Sequence, residues 1–191
     1  AYSPLPFITP EDEEYALEHI MKPVAAGMVA EGCAFKGVLY GGLMKTPDGI
    51  KVIELKCPSG DPETEVVLPR LRTDIYEIFS AVAAGRPMPE IEWSDKPVMG
   101  FVMASKGYPG SYEKGVEIKN LKEALASVGA KAYHMGTAAK DGKLVTNGGR
   151  VLMVLAEGDT LKDAHDKALA AVEKVDCDNL FYRRDIGHWV M

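Results

Sequence analysis

Three prolines, Pro87, Pro89 and Pro97, punctuate a stretch of mixed charge that runs from Arg86 to Pro97. No helix or central strand continues through such a run, because proline has no N–H to give to either ladder and locks its own φ. The stretch therefore reads as a linker with a boundary near Ser94, dividing the chain into residues 1–94 and 95–191. In the first segment, Thr9-Pro10-Glu11-Asp12 reads as an N-cap, a proline at the first helical position and acids in the first turn, opening a helix to about Glu31. Tyr15, Ile20, Met21, Val24 and Met28 form its apolar stripe, and Pro23 should kink or divide it. Residues 35–44 and 50–55 read as strands joined by the turn Thr46-Pro47-Asp48-Gly49. A second helix is expected over 73–84, with Ile75, Ile78, Phe79 and Val82 on one face and Gly85 as its stop.

The second segment alternates short strands with glycine turns. Strands are expected at 98–104, 116–118, 130–135 and 150–156, a helical turn at 121–127, and a helix at 160–174 capped by Thr160, with Leu161, Ala164, Ala168, Leu169 and Val172 on its buried face. A small mixed sheet covered by one helix makes the class α+β rather than a Rossmann unit. His134 reads as a hydrogen-bonded core residue. The glycines of Ser105-Lys-Gly-Tyr-Pro-Gly110 shape a turn, since P-loop spacing and its Lys-Ser/Thr pair are missing. Thr146-Asn147-Gly148-Gly149-Arg150 is either a hairpin turn or a backbone nest for an anion with Arg150 as counter-charge.

Composition narrows the function classes. At 191 residues and 47% hydrophobic, the chain can bury one sizeable core or two modest ones. A net charge of −6, without a basic stripe or basic amphipathic helix, argues against a nucleic acid or a membrane surface as main partner. Cys33, Cys57 and Cys177 are odd in number and unpatterned, which suits free thiols in a reducing, cytoplasmic setting. No uncharged stretch, 23–30 included, is long enough to span a bilayer. A first residue other than Met suggests a cut or cloned fragment.

The chemistry concentrates in residues 52–64. There an apolar run ends on Glu54, and the turn Gly60-Asp61-Pro62 should bring Asp61 and Glu63 back toward it. Two readings stand side by side. One is an exposed acidic turn after a strand; the other is a phosphate site, since clustered carboxylates suit Mg²⁺, a hard cation that shares its coordination with water and substrate phosphates.

Five landmarks stand in order: Gly-Val-Leu-Tyr-Gly-Gly-Leu-Met (37–44), Gly-Asp-Pro-Glu-Thr (60–64) with Val-Leu-Pro-Arg-Leu (67–71), Met-Ala-Ser-Lys-Gly-Tyr-Pro-Gly (103–110), Thr-Asn-Gly-Gly-Arg-Val-Leu (146–152) and Phe-Tyr-Arg-Arg-Asp-Ile-Gly (181–187). Together they resemble the phosphoribosylamine–glycine ligase family, also called glycinamide ribonucleotide synthetases, over essentially the whole chain but only the C-terminal half of that enzyme. The resemblance implies the C-terminal part of an ATP-grasp domain followed by a small α+β domain. It implies an ATP-dependent ligase of purine biosynthesis that joins glycine to 5-phosphoribosylamine through a glycyl phosphate. Mg²⁺ or Mn²⁺ would be its cofactor, ATP its co-substrate and the N-terminal half of the ligase its partner, so that this part alone is expected to be inactive. By resemblance Glu54 is the metal ligand and Leu43 lines the adenine side. Asp61 and Glu63 orient glycine's ammonium or the ribose hydroxyls, with Gly60, Thr64 and Arg150 as further substrate contacts. Lys56 stands where the family pattern has an asparagine ligand, Pro58 where it has an arginine and Ser59 where it has a phenylalanine. Lys56 then either meets a phosphate directly as a point charge, or marks a degenerate, non-catalytic binding module.

Overall fold

The computed structural model describes residues 1–57 and 59–191. In chain order the elements are β1 (Tyr2–Ser3), α1 (Pro10–Ala16), α2 (Lys22–Ala30), β2 (Tyr40–Thr46), β3 (Gly49–Lys56), α3 (Thr64–Val67), α4 (Ile75–Ala84), β4 (Val98–Ser105), α5 (Leu121–Ala126), β5 (Lys131–His134), β6 (Thr137–Lys140), β7 (Lys143–Thr146), β8 (Arg150–Glu157), α6 (Leu161–Val172) and β9 (Leu180–Phe181). Two compact units result. One gathers Ala1–Pro4, Pro62–Arg70 and Ser94–Met191; the other holds Leu5–Asp61 and Leu71–Trp93. Among the described residues no helix is long and apolar enough to cross a membrane.

The first unit is an antiparallel sheet in the order β1-β4-β8-β5, with β9 added to the end of β4. Its central strands are apolar without alternation because both faces are covered. On one face Phe101, Leu152, Val154 and Ala156 pack against Ala164, Ala168, Ala171 and Val172 of α6, whose alanines let the helix lie close. On the other, Val98, Met153 and Leu155 pack with Val66 of α3. Val66 is the reason that 62–70 belongs to this unit. Arg70 reinforces the arrangement, its Nη1 donating to Ser3 Oγ at 2.8 Å and its Nη2 to the Ser94 carbonyl at 2.8 Å. The helix expected over 160–174 is α6; Thr160 Oγ1 accepts from Asp163 N–H at 3.1 Å.

Three readings of this segment change. Residues 116–118 form no regular strand but run along β7, Glu117 bridging Val145, with Thr146 N–H donating to the Val116 carbonyl at 2.9 Å and Ile118 N–H to the Leu144 carbonyl at 2.8 Å. Asn147-Gly148 does not turn a hairpin, for β7 pairs with β6 while β8 pairs with β4 and β5. His134 is hydrogen-bonded as expected, Nδ1 to Thr137 Oγ1 at 2.9 Å, but it lies on the exposed side of an edge strand rather than in the core.

The second unit has little interior. Ile78 and Ala81 are its buried apolar side chains, whereas Phe79 of the expected α4 face is half exposed. Its first helix starts on the Thr9 cap, with Asp12 completing a capping box. It then passes through a π-helical turn, Leu17–Met21, directly before Pro23, which is how this helix accommodates a residue without an N–H. The first strand begins at Tyr40 rather than at 35, since β3 ends at Lys56 and its register starts with the pair Tyr40↔Lys56. The turn between the strands is as the sequence suggests: Thr46 Oγ1 accepts from Asp48 N–H at 3.2 Å and donates to the Gly49 carbonyl at 2.8 Å. Gly49 closes it at φ +93°, a conformation that side-chain-bearing residues rarely adopt.

Candidate functional site

The β2–β3 hairpin carries the most specific arrangement of charged groups. Its antiparallel register sets Gly42 opposite Glu54 and Tyr40 opposite Lys56, with a bulge between Gly42 and Leu43. Residues two apart on a strand share a face, so Glu54 and Lys56 stand together above Gly42 and Tyr40. Gly42 is what lets the glutamate lie there: a Cβ on it would come within 2.8 Å of Glu54 Cγ. Lys56 Nζ sits 3.0 Å from Glu54 Oε1 and 4.7 Å from the centre of the Tyr40 ring, so its ammonium is held between a carboxylate and an aromatic face. Both charged side chains remain partly exposed, 52% for Glu54 and 40% for Lys56. Leu43, just past the bulge, is half-buried.

The loop beyond β3 divides between the units. Gly60, buried, and Asp61, exposed, close the second unit, while Glu63 and Thr64, half-buried, belong to the first. Glu63 precedes α3, and its carbonyl accepts from the N–H groups of Val66 and Val67 at 3.1 and 3.0 Å. Arg150 opens β8 in the first unit, paired with Ala104 beside a register shift. The sequence-derived residues thus fall into two groups: Leu43, Glu54, Lys56, Gly60 and Asp61 in one unit, and Glu63, Thr64 and Arg150 in the other. Pro58 lies outside the described residues.

A divalent cation fits the hairpin poorly. Among the described residues no group of three or more His, Cys, Asp or Glu side chains is placed to hold a metal ion. One oxygen of Glu54, Oε1, lies 3.0 Å from the Lys56 ammonium, which has donors only and repels a second cation.

Close to Arg150, glycines serve packing rather than anion binding. Gly148 lies against the Gly136 backbone, where added Cβ atoms would approach within 3 Å, and Gly149 lies against the Tyr108 ring. Neither takes a positive φ, so the alternating left-handed geometry of a nest is not formed. Ser105 instead locks the loop, its Oγ donating to the Gly148 carbonyl at 2.8 Å. Sequence reading missed Tyr40 and Gly42 as members of the Glu54–Lys56 cluster, although their even spacing on a strand is visible. Arg183, Arg184 and Asp185 form a solvated edge, with ion pairs Arg183–Asp185 and Arg184–Glu173 inside one unit.

Comparison with known proteins accords with this description. The phosphoribosylglycinamide synthetase ATP-grasp (A) domain matches residues 1–64, and the phosphoribosylglycinamide synthetase C domain matches residues 98–189. A phosphoribosylamine–glycine ligase of Halalkalibacterium halodurans is 44% identical over 187 residues, covering 98% of this chain and 43% of the relative. One from Pasteurella multocida is 45% identical over 190 residues, covering 98% and 44%. The crystal structure of phosphoribosylamine–glycine ligase from Thermotoga maritima superposes with a TM-score of 0.83 at 34% identity, over 96% of this chain and 45% of that one. N5-carboxyaminoimidazole ribonucleotide synthetase from Thermotoga maritima, at 19% identity and a TM-score of 0.59, shares the fold. The chain spans less than half the length of the curated relatives it matches. It belongs to the phosphoribosylglycinamide synthetase family, of which it carries the C-terminal part of the ATP-grasp domain and the α+β C domain.

Proposed function

We propose that this chain is the C-terminal portion of an ATP-dependent ligase that joins glycine to 5-phosphoribosylamine in purine biosynthesis, in the cytoplasm. The observation that carries the proposal is identity near 44% spread over 98% of the chain, through both units, rather than confined to one motif. In this reading residues 1–94 serve the ATP-grasp domain and 95–191 form the accessory α+β domain.

The reaction needs no protein nucleophile. Glycine's carboxylate takes the terminal phosphoryl group of ATP, releasing ADP; the amine of phosphoribosylamine then attacks the glycyl phosphate, phosphate leaves, and the amine proton passes to solvent. Such chemistry depends on positioning and charge neutralisation. Leu43 would contact the adenine side and the Glu54–Lys56 pair the phosphate end. Gly60, Asp61, Glu63 and Thr64 would orient glycine's ammonium or the ribose hydroxyls, and Arg150 would meet an anionic substrate group. A divalent ion would supply electrostatic neutralisation of ATP phosphates when bound; Glu54 would be the hairpin's oxygen ligand for it, and the Lys56 ammonium, 3.0 Å from Oε1, opposes that ligation. The alternative of a non-catalytic module rests on the departures at Lys56, Pro58 and Ser59, and identity across both units weighs against it.

The test is complementation. The chain mixed with the upstream region of the Pasteurella multocida ligase should release ADP only when glycine and phosphoribosylamine are both present. An assembled complex that binds ATP without any glycine-dependent turnover would overturn the proposal.

A further inference from the structure

We infer that residues 34–38 and the apolar cleft beside them form a docking edge for one β-strand from the upstream part of the ligase's ATP-grasp domain. That strand adds its backbone to the segment and its apolar side chains to the cleft. The inference rests on the reading of this chain as the C-terminal portion of that ligase. Phe35, Val38 and Leu39 give the approach to β2 a strand-forming composition, yet pairing begins only at Tyr40. Among the described residues the backbone of 34–38 makes no hydrogen bond to another segment, so its N–H and C=O groups stand open to a partner.

The cleft, about 530 Å³, is walled by Val38 on one side and by Ile78, Phe79, Val82 and Met88 on the other. Val38 is 40% exposed and Phe79 51%, so its apolar surface is uncovered. Lys36 Nζ donates to the Ala83 carbonyl at 3.3 Å, which ties the segment to the last turn of α4. Among the described lining residues only Lys36 is charged, so an apolar occupant fits. Strand addition draws affinity from main-chain hydrogen bonds and specificity from pockets for side chains, and segment and cleft offer one of each. The relatives have sequence to supply the strand, since this chain covers 43% and 44% of them.

The test coexpresses the upstream region of the Pasteurella multocida ligase with the chain and with Val38→Asp, Phe79→Asp and Tyr76→Asp, each variant checked alone by circular dichroism. Tyr76 is on α4 but does not line the cleft. Dissociation on dilution is followed by analytical ultracentrifugation, amide hydrogen exchange is read over 34–38, and glycine-dependent ADP release is measured in the same samples. The 34–38 amides should exchange freely in the chain alone and about tenfold or more slowly in the complex. Val38→Asp and Phe79→Asp should weaken the complex by about tenfold or more, because each buries an unpaired carboxylate, while Tyr76→Asp leaves it unchanged. A complex in which 34–38 stay unprotected, or which the cleft variants weaken no more than Tyr76→Asp does, overturns the inference alone. Protection of 34–38 in a dimer of the chain by itself gives the edge to a second copy and overturns it too. A complex with 34–38 protected but without glycine-dependent ADP release overturns the proposed function and leaves the docking edge standing. Absence of any complex overturns both.

Discussion

Gly42 shows how one missing side chain shapes the site. Replacing it with alanine puts a methyl group 2.8 Å from Glu54 Cγ, and because the obstacle is a flexible side chain, Glu54 rather than the strand will shift. Gly42→Ala should therefore cost the fold little, within about 0.5 kcal/mol as for ordinary surface changes, yet separate Glu54 from Lys56. Side-chain NMR of the Lys56 ammonium before and after the change reads this out; unchanged ammonium signals would count against Gly42 as the seat of the pair. The pair's own contribution to stability is small, about 0–1 kcal/mol, as for exposed ion pairs. Glu54 and Lys56 were legible as neighbours because a strand has period two. Their contact with Tyr40 was not, because it depends on which residue the register sets opposite Lys56.

Helix α6 was read almost to its ends, since a cap and an apolar stripe are short-range signals. Losing the cap in Thr160→Ala should destabilise the chain by about 1 kcal/mol in chemical denaturation. The same helix carries an acid sensitivity. The Lys167 ammonium holds Asp163 below its ordinary value of 3.8, and the Lys162 ammonium does the same for Asp166. A carboxylate with a depressed folded pKa stabilises above the unfolded value and loses that stabilisation as pH falls through the folded one. The thermal midpoint should therefore drop as pH is lowered below about 3.8, and Lys167→Met should make that drop shallower. A slope unaltered in the variant would remove Asp163 from the account. Elements held by one another were harder to read: 116–118 has strand composition, yet it forms a short irregular pairing along β7 rather than a strand of its own.

Across the molecule, apolar burial is uneven. Among the described residues, the buried apolar side chains other than Ile78 and Ala81 lie in the unit built on β4 and β8. Phe101 of β4, wholly buried in the cluster that the sheet forms with α6, is a sensitive point there, and Phe101→Ala should cost about 3–5 kcal/mol. Hydrogen exchange of β4 and β8 amides measures this; a change below 1 kcal/mol, roughly one methylene's worth, would mean that the core refills the cavity. In the other unit, Met44, Val52, Ile53 and Phe79 are exposed although the sequence marks them apolar. A stripe announces a face, not what covers it.

Helix caps, turn chemistry, the α+β class and the acidic position at the end of β3 follow from contacts within a few residues, and such contacts are written in the order of the chain. Long-range packing settled the rest: that Val66 draws 62–70 into the sheet-bearing unit, that β7 turns to β6 instead of β8, and that Tyr40 and Gly42 complete the surroundings of Glu54 and Lys56. These depend on which distant residues close upon one another, and register and burial are properties of that closure, not of any local stretch.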